Sequence, residues 1–375
     1  MRVLLVNLGL VPGLAPHDFM ARLPGIGRFV EALAQAGVRV TVLARAEEPS
    51  DHGEGNLRLV TVADGGAALP PLLSPVTRVV SRARSLAPDV VHFGGLVFPV
   101  PVVALRAALP GRVPILLQHH GEPPGSGRLG VLQKRCLRSA DGVLFSAGEI
   151  ALDWMRGGHL PWSTPVHEVL EASTDLRPSP RAEARERTGI DGDPAVLWVG
   201  RLHPRKDPVT ALRAFEGALA RLPGARLHVV WGDAPLLGEL RGIVERSPSL
   251  AGTVRFAGRV PHHELHDWYS AADLFLTTSP AEGSNWALIE ATACGLPAVA
   301  SDIPANRRVT GDLAERFPPG DAAAGAEAIV KAAARAGEPW REKLRARFEA
   351  ELTWEAVARE AKAAYAAAIA RRRTS

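Results

Sequence analysis

The sequence predicts an α/β protein built from two doubly wound, Rossmann-like domains that face a central cleft. Three observations predict it. Short β-branched runs alternate with helical stretches along all 375 residues, as parallel sheets joined by βαβ crossovers require. The strand runs are nearly unbroken in apolar residues, which suits strands covered by helices on both faces. The pattern also restarts near residue 195, after a charged, proline-punctuated stretch at 175–194.

In the first half the expected strands are Val3–Leu8, Arg39–Ala44, Leu57–Val62, Val90–Phe93, Ile115–Gln118 and Gly142–Ser146. Those of the second half are Ala195–Val199, Arg226–Trp231, Val254–Ala257, Leu274–Thr278 and Pro297–Ser301. Helical patterns lie between them at Gly27–Gln35, Asp207–Arg221 and Trp286–Cys294. The simplest division is a first domain over 1–177 and a second over 178–352. A long Ala/Arg helix follows at 353–375, with Trp354, Val357, Ala361 and Tyr365 on one face, expected to pack back toward the first domain. Two such halves put a ligand cleft at the carboxyl ends of both sheets.

Composition excludes several classes. Apolar residues make up 46% and charged residues 22%, far from a disordered chain. The net charge of +4 rests on 44 basic residues, few of them Lys, with no cluster of Lys/Arg interleaved with aromatics, so no nucleic-acid partner is expected. Two cysteines, Cys136 and Cys294, fit a reducing compartment. VLLVNLGL reads as a first strand and not as a signal peptide, and the longest apolar run, Leu96 to Leu105, contains two prolines and falls short of the roughly 20 residues of a spanning helix. The chain is expected to be cytoplasmic, touching at most a membrane surface.

A hydride-transfer enzyme is disfavoured, because the glycines after the first strand lack the spacing of a dinucleotide fingerprint. Two segments of the second half say more. In VLWVGRLHPRKDP (196–208) a buried strand ends at Gly200, and Arg201 and Lys206 follow in a turn before a helix opening near Asp207. Cations at a strand's carboxyl end, beside a helix N-terminus, make a site for a di-anion. In TTSPAEGSNWALIEATACGLPAVASD (277–302) a loop carries Glu282, then Gly283, Ser284 and Asn285 are expected to cap a helix that bears Glu290. Carboxylates in such a cleft accept hydroxyl protons from polyhydroxylated ligands, and the first amides of the helix can hold a phosphate or sugar oxygen.

The order VGRL…K followed by S-P-x-E-G…E-A-x-A-C-G-L-P-x-V-A-S-D resembles the family-4 retaining glycosyltransferases of the GT-B fold. The runs PDVVH, ILLQHHG, ADGVLFSA, EVLEASTDLRP, VRFAGRVPHHEL, FPPGD and LTWEAVA match that family's landmarks in order, strongly over 195–320 and more loosely over 1–177. The resemblance implies a retaining, metal-independent transferase that moves a sugar from a nucleotide-diphosphate sugar to an unidentified acceptor: a polysaccharide, a glycolipid or a small molecule. It implies no cofactor. Arg201 and Lys206 would hold the donor diphosphate and Glu290 the ribose. Glu282, with the amides of Gly283, Ser284 and Asn285, would hold the transferred sugar. His120 would approach that sugar from the first domain, and the PGIGR loop would bring Gly25 and Gly27 to the phosphates or the acceptor. The base is expected to be read through backbone groups around Trp231-Gly232-Asp233 and Gly258-Arg259-Val260, which leaves its identity open.

Departures from the family pattern are specific. Glu282-Gly283-Ser284-Asn285 stands where Glu-Gly-Phe-Gly is usual, and Glu171-Ala172-Ser173-Thr174-Asp175 replaces Asn-Gly-x-Asp. Other signals are read blandly. Asp191-Gly192-Asp193 is taken as a turn and not as a metal motif. His262, His263 and His266 are taken as the exposed opening of an amphipathic helix, and His119 as buried. Arg128, Lys134, Arg135 and Arg138 form a solvated face, with a phospholipid or phosphorylated acceptor as the alternative partner. Trp286 either stacks on a sugar or packs. Asp18 and Glu122 are the carboxylates that could serve as a base in an inverting reaction. Two other functions compete: a sugar-nucleotide epimerase of the same fold, and a sugar-nucleotide-binding protein without turnover.

Overall fold

The computed structural model describes residues 1–9, 23–63, 73–74, 76–335 and 337–374. The chain divides into two compact units, 1–172 together with 354–375, and 173–353. The breaks thus fall at 172/173 and 353/354, where the sequence suggested 177/178 and 352/353.

Unit 1 holds an eight-stranded sheet of β1 (Arg2–Asn7), β2 (Arg39–Ala46), β3 (Ser50–Glu54), β4 (Leu57–Ala63), β5 (Val90–Gly94), β6 (Ile115–Gln118), β7 (Gly142–Phe145) and β8 (Val166–Glu168). Their order is β3-β4-β2-β1-β5-β6-β7-β8, and every pair is parallel except β3 with β4. The central strands are buried along their length because helices cover both faces, as with VVHF in β5 and ILLQ in β6. The Trp354–Thr374 helix belongs to this unit. Its Tyr365 is fully buried, shares a 2.6 Å hydrogen bond with His92 Nδ1 and meets that ring edge-on. Lys362 donates to the Ala36 carbonyl, which closes the end of the Pro24–Gln35 helix.

Unit 2 holds six parallel strands: β9 (Ala195–Gly200), β10 (Arg226–Trp231), β11 (Val254–Gly258), β12 (Leu274–Thr277), β13 (Ala298–Ser301) and β14 (Ala314–Phe317). The order β11-β10-β9-β12-β13-β14 is the dinucleotide-fold order, with the switch of direction between β9 and β12. The loops after β9, β10, β11 and β12 therefore open on one edge of the sheet, on either side of that switch.

Three strands escaped the sequence reading. SDHGE of β3 is polar and exposed because it is an edge strand, VHE of β8 is too short to show a period, and AERF of β14 is only four residues long with two adjacent charges at its centre. The segment expected as a PGIGR loop is instead the first turn of the Pro24–Gln35 helix. Pro24 fits that position, where no intrahelical donor is needed. Asp18 lies outside the described residues.

Candidate active site

The candidate residues of unit 2 come together at the β9–β12 switch as preformed pairs. After β9 the chain turns through a short 3-10 helix, Pro204–Lys206, and Asp207 takes a left-handed conformation to cap the Pro208–Ala218 helix through Thr210 N. Asp tolerates that conformation better than most residues. Buried Thr278, just past β12, donates to the carbonyls of Lys206 and Asp207 at 3.0 and 2.7 Å. This fixes the backbone that carries the lysine. The Lys206 ammonium pairs with Glu282, whose side chain is largely buried. Arg201 pairs with Asp233 at 3.0 Å, and both are exposed. Hydrogen bonding from Arg201 holds the Asp233 carboxyl below its ordinary range.

The two segments expected to read the base are tied directly to each other. Arg259 donates from Nε and an Nη to the Gly232 carbonyl at 3.0 and 2.6 Å, one residue before Val260. Glu290 lies on the second turn of the Trp286–Ala293 helix, only 6% exposed, and both of its oxygens are engaged. Oε1 accepts from His262 Nε2 at 2.6 Å and Oε2 from the Tyr269 hydroxyl at 2.8 Å. Each carboxylate oxygen keeps a second acceptor position. That hydrogen bond and the carboxylate's charge raise the His262 pKa, while burial opposes them; burial pushes the Tyr269 hydroxyl well up.

Two sequence expectations need correction here. Asn285 does not cap the helix with its side chain. Its amide nitrogen reaches Thr277 Oγ1 at 3.1 Å and Asn306 Oδ1 at 2.8 Å, tying the loop to β12 and to the Pro304–Thr310 helix. Buried Gly283 and Ser284 precede it and have partners of their own. His262 is also more than the exposed opening of a helix, since it is bonded to Glu290. His263 and His266 turn instead toward Glu264 and Asp267. The sequence offered no link from His262 to Glu290 and did not single out Tyr269, because the 28- and 21-residue separations from Glu290 carry no local period. Trp286 is partly exposed and anchored by its indole N–H to the Ser173 carbonyl at 2.7 Å.

In unit 1, His120 follows β6 and is about half exposed, and its Nδ1 pairs with Glu171. Glu122 is a backbone brace: its two oxygens accept from Leu96 N and His120 N, each at 2.6 Å. Gly25 and Gly27 lie in the first helical turn after the undescribed segment, and Gly27 donates its amide to Leu23 O. Asp191, in the discounted turn, pairs with Arg226, Arg255 and the buried His228. Arg128, Lys134, Arg135 and Arg138 are exposed on and just beyond the Gly127–Cys136 helix. No helix among the described residues is long and apolar enough to cross a membrane.

Comparison with known proteins identifies the family. The family described as "Glycosyl transferases group 1" matches residues 193–335, and that described as "Glycosyltransferase Family 4" matches residues 25–158. A D-inositol 3-phosphate glycosyltransferase of Thermobispora bispora is 34% identical over 136 residues, covering 34% of this chain and 32% of that protein. A GDP-mannose-dependent α-(1-6)-phosphatidylinositol monomannoside mannosyltransferase of Mycobacterium tuberculosis is 30% identical over 226 residues, covering 57% and 58%. The chain thus spans about a third of the first relative and under two thirds of the second. HepE of Anabaena, solved with UDP and glucose, superposes with a TM-score of 0.70 at 17% identity, over 98% of this chain and 100% of that one. With one family matching in each unit and the GT-B fold matched along the chain, this protein belongs to the family-4, group 1 glycosyltransferases.

Proposed function

We propose that this chain transfers a sugar from a nucleotide-diphosphate sugar to an acceptor hydroxyl, with retention of the anomeric configuration and without a metal ion. The observation that carries the reading is the set of pairs at the β9–β12 switch: Arg201 and Lys206 for a diphosphate, Glu282 and Glu290 for hydroxyl groups. Negative charge grows on the leaving phosphate as the glycosidic bond breaks. Cations already fixed in place stabilise it without reorganising. The Lys206 ammonium has three donors, so it can keep Glu282 and still reach a phosphate oxygen. Glu290, oriented by two donors, holds the ribose hydroxyls, and Gly232, Arg259 and Val260 frame the base. His120 carries the sugar-facing role that the family resemblance gives it.

The commitments of the described carboxylates support retention. An inverting reaction needs a base behind the anomeric carbon. Glu282 is paired with Lys206, Glu290 with two donors, and Glu122 with two backbone amides. Attack then comes from the leaving-group side, and the departing phosphate oxygen takes the acceptor proton. The relatives named for inositol phosphate and phosphatidylinositol monomannoside make a phosphorylated polyol the acceptor to try first.

The test is a melting-point screen with UDP-, GDP-, ADP- and dTDP-sugars, followed by product analysis. A donor that binds the folded chain raises the melting point, and turnover in EDTA gives a product of the donor's anomeric configuration by NMR. No shift with any donor sinks the reading. An epimerised sugar nucleotide makes the chain an epimerase, binding without hydrolysis makes it a binding protein, an inverted linkage removes the retaining mechanism, and loss in EDTA restored by Mg²⁺ removes metal independence.

A further inference from the structure

The backbone around His120 is held from several sides. Buried Gln118 donates to the carbonyls of His119, Leu144 and Val169 at 3.3–3.4 Å. The His119 ring bonds the Glu122 carbonyl at 2.9 Å and stacks on Phe145 at 4.6 Å. Glu122 clasps the amides of Leu96 and His120. With that backbone fixed, His120 keeps only its side-chain torsions, and Glu171 removes that freedom by pairing with Nδ1. The other ring nitrogen lies over the end of β5, where a Cβ on Gly94 would sit 3.4 Å from Nε2. The imidazole is 48% exposed and the Glu171 side chain 18%, so the histidine is displayed and the carboxylate stands behind it.

We propose that Glu171 is the positioning residue for His120, holding the ring by Nδ1 so that Nε2 is presented to a ligand oxygen. The inference rests on the transferase reading for the identity of that ligand. It stands on this chain's own departure from the family pattern, the Glu171-Ala172-Ser173-Thr174-Asp175 segment. The charged and titratable groups facing the ring are Glu171, Glu122, His119 and His92. Burial pushes the His120 pKa down, and the hydrogen bond and charge of Glu171 with the charge of Glu122 outweigh it, so the net shift is upward. Burial holds His119 and His92 below their ordinary value, so neither competes as a cation near neutral pH.

The experiment is an imidazole NMR titration of the full chain, with the His120 signals identified by their loss in His120→Asn. Glu171→Gln keeps an acceptor but removes the charge, and is expected to lower the His120 midpoint by about one pH unit. The alkaline limb of kcat/KM should move down with it, while kcat well below both midpoints stays within about threefold of wild type. Glu171→Asp should restore part of the shift, and it serves as the working variant if Glu171→Gln does not fold. An unchanged His120 midpoint overturns the proposal, as does an activity loss equal at every pH, the signature of a merely structural pair. A wild-type chain inert toward all four sugar nucleotides overturns the transferase reading, and the NMR midpoint then still decides whether Glu171 sets the state of His120.

Discussion

Each unit places a histidine–glutamate pair at the carboxyl ends of the parallel strands of its sheet, and the two pairs are built in opposite senses. In unit 2 the carboxylate of Glu290 is buried and doubly held, while its partner His262 is 64% exposed. In unit 1 the imidazole of His120 is displayed and Glu171 supports it from behind. On the proposed function, the buried partner in unit 2 accepts from hydroxyl groups of the donor, and the displayed partner in unit 1 presents its ring to the sugar. Identical residue types serve different ends because burial decides which group is oriented and which does the orienting.

The largest effect that would break this comparison is expected in unit 2. Lys206→Ala removes a fixed cation and leaves the largely buried Glu282 carboxylate unpaired. Turnover should fall by about 10²- to 10³-fold while the chain still folds. Arg201→Ala, whose side chain is exposed beside an exposed Asp233, should lower turnover too, by the smaller factor. Wild-type rates in both variants, measured as sugar-nucleotide hydrolysis, would remove the diphosphate role.

Acid should separate the units next. Burial pushes His92 down to about 3 from 6.5, and His119, His159 and His167 of the same unit are also lowered by burial, against His228 in unit 2. A folded pKa below the unfolded value means that the unfolded chain binds the proton first. The contribution of these four unit 1 histidines is therefore complete above about pH 6.5 and falls as the pH drops toward 3, while His120, whose pKa is raised, contributes in the opposite sense. In unit 2, Asp267 is held at about 2 by its hydrogen bonds to Arg187, so its contribution is present above 3.8 and is lost only as the pH falls through 2. Near-ultraviolet circular dichroism along an acid titration should show unit 1 giving way at the higher pH. A single transition below pH 3 would contradict this.

Smaller effects sharpen the picture. Tyr269→Phe takes one donor from Glu290 and should cost about 1–3 kcal/mol of stability, with a few-fold loss of donor affinity by calorimetry. His262→Ala, at an exposed partner, should cost less stability. The smallest change is expected from Asp191→Asn at the amino end of the unit 2 sheet. Turnover should stay within about twofold with and without EDTA, and a metal-dependent loss would revive the metal reading of that turn.

The sequence made legible what depends on local periodicity and strand ends. The apolar runs of β5, β6, β9 and β10 and the loops after them were placed to within a residue or two. So were Arg201, Lys206 and Glu282, because a strand's end and the turn after it are written consecutively. What stayed hidden is tertiary. His262 and Tyr269 reach Glu290 across the fold, Asn285 turns from its own helix to Thr277 and Asn306, and Glu171 meets His120 from beyond β8. Glu122 was read as a potential base because its sequence neighbourhood does not reveal that the Leu96 amide lies against it.

The helix at Trp354–Thr374 makes unit 1 discontinuous, and this bears on synthesis. Tyr365, the partner of His92, leaves the ribosome 273 residues later, after the whole of unit 2. At about 5–20 residues per second that interval is on the order of 10–60 s. Unit 2, encoded second, is then the first unit able to complete its core. Until the helix arrives, the face of unit 1 around His92 and Phe29 stands open, a window in which a chaperone has surface to hold.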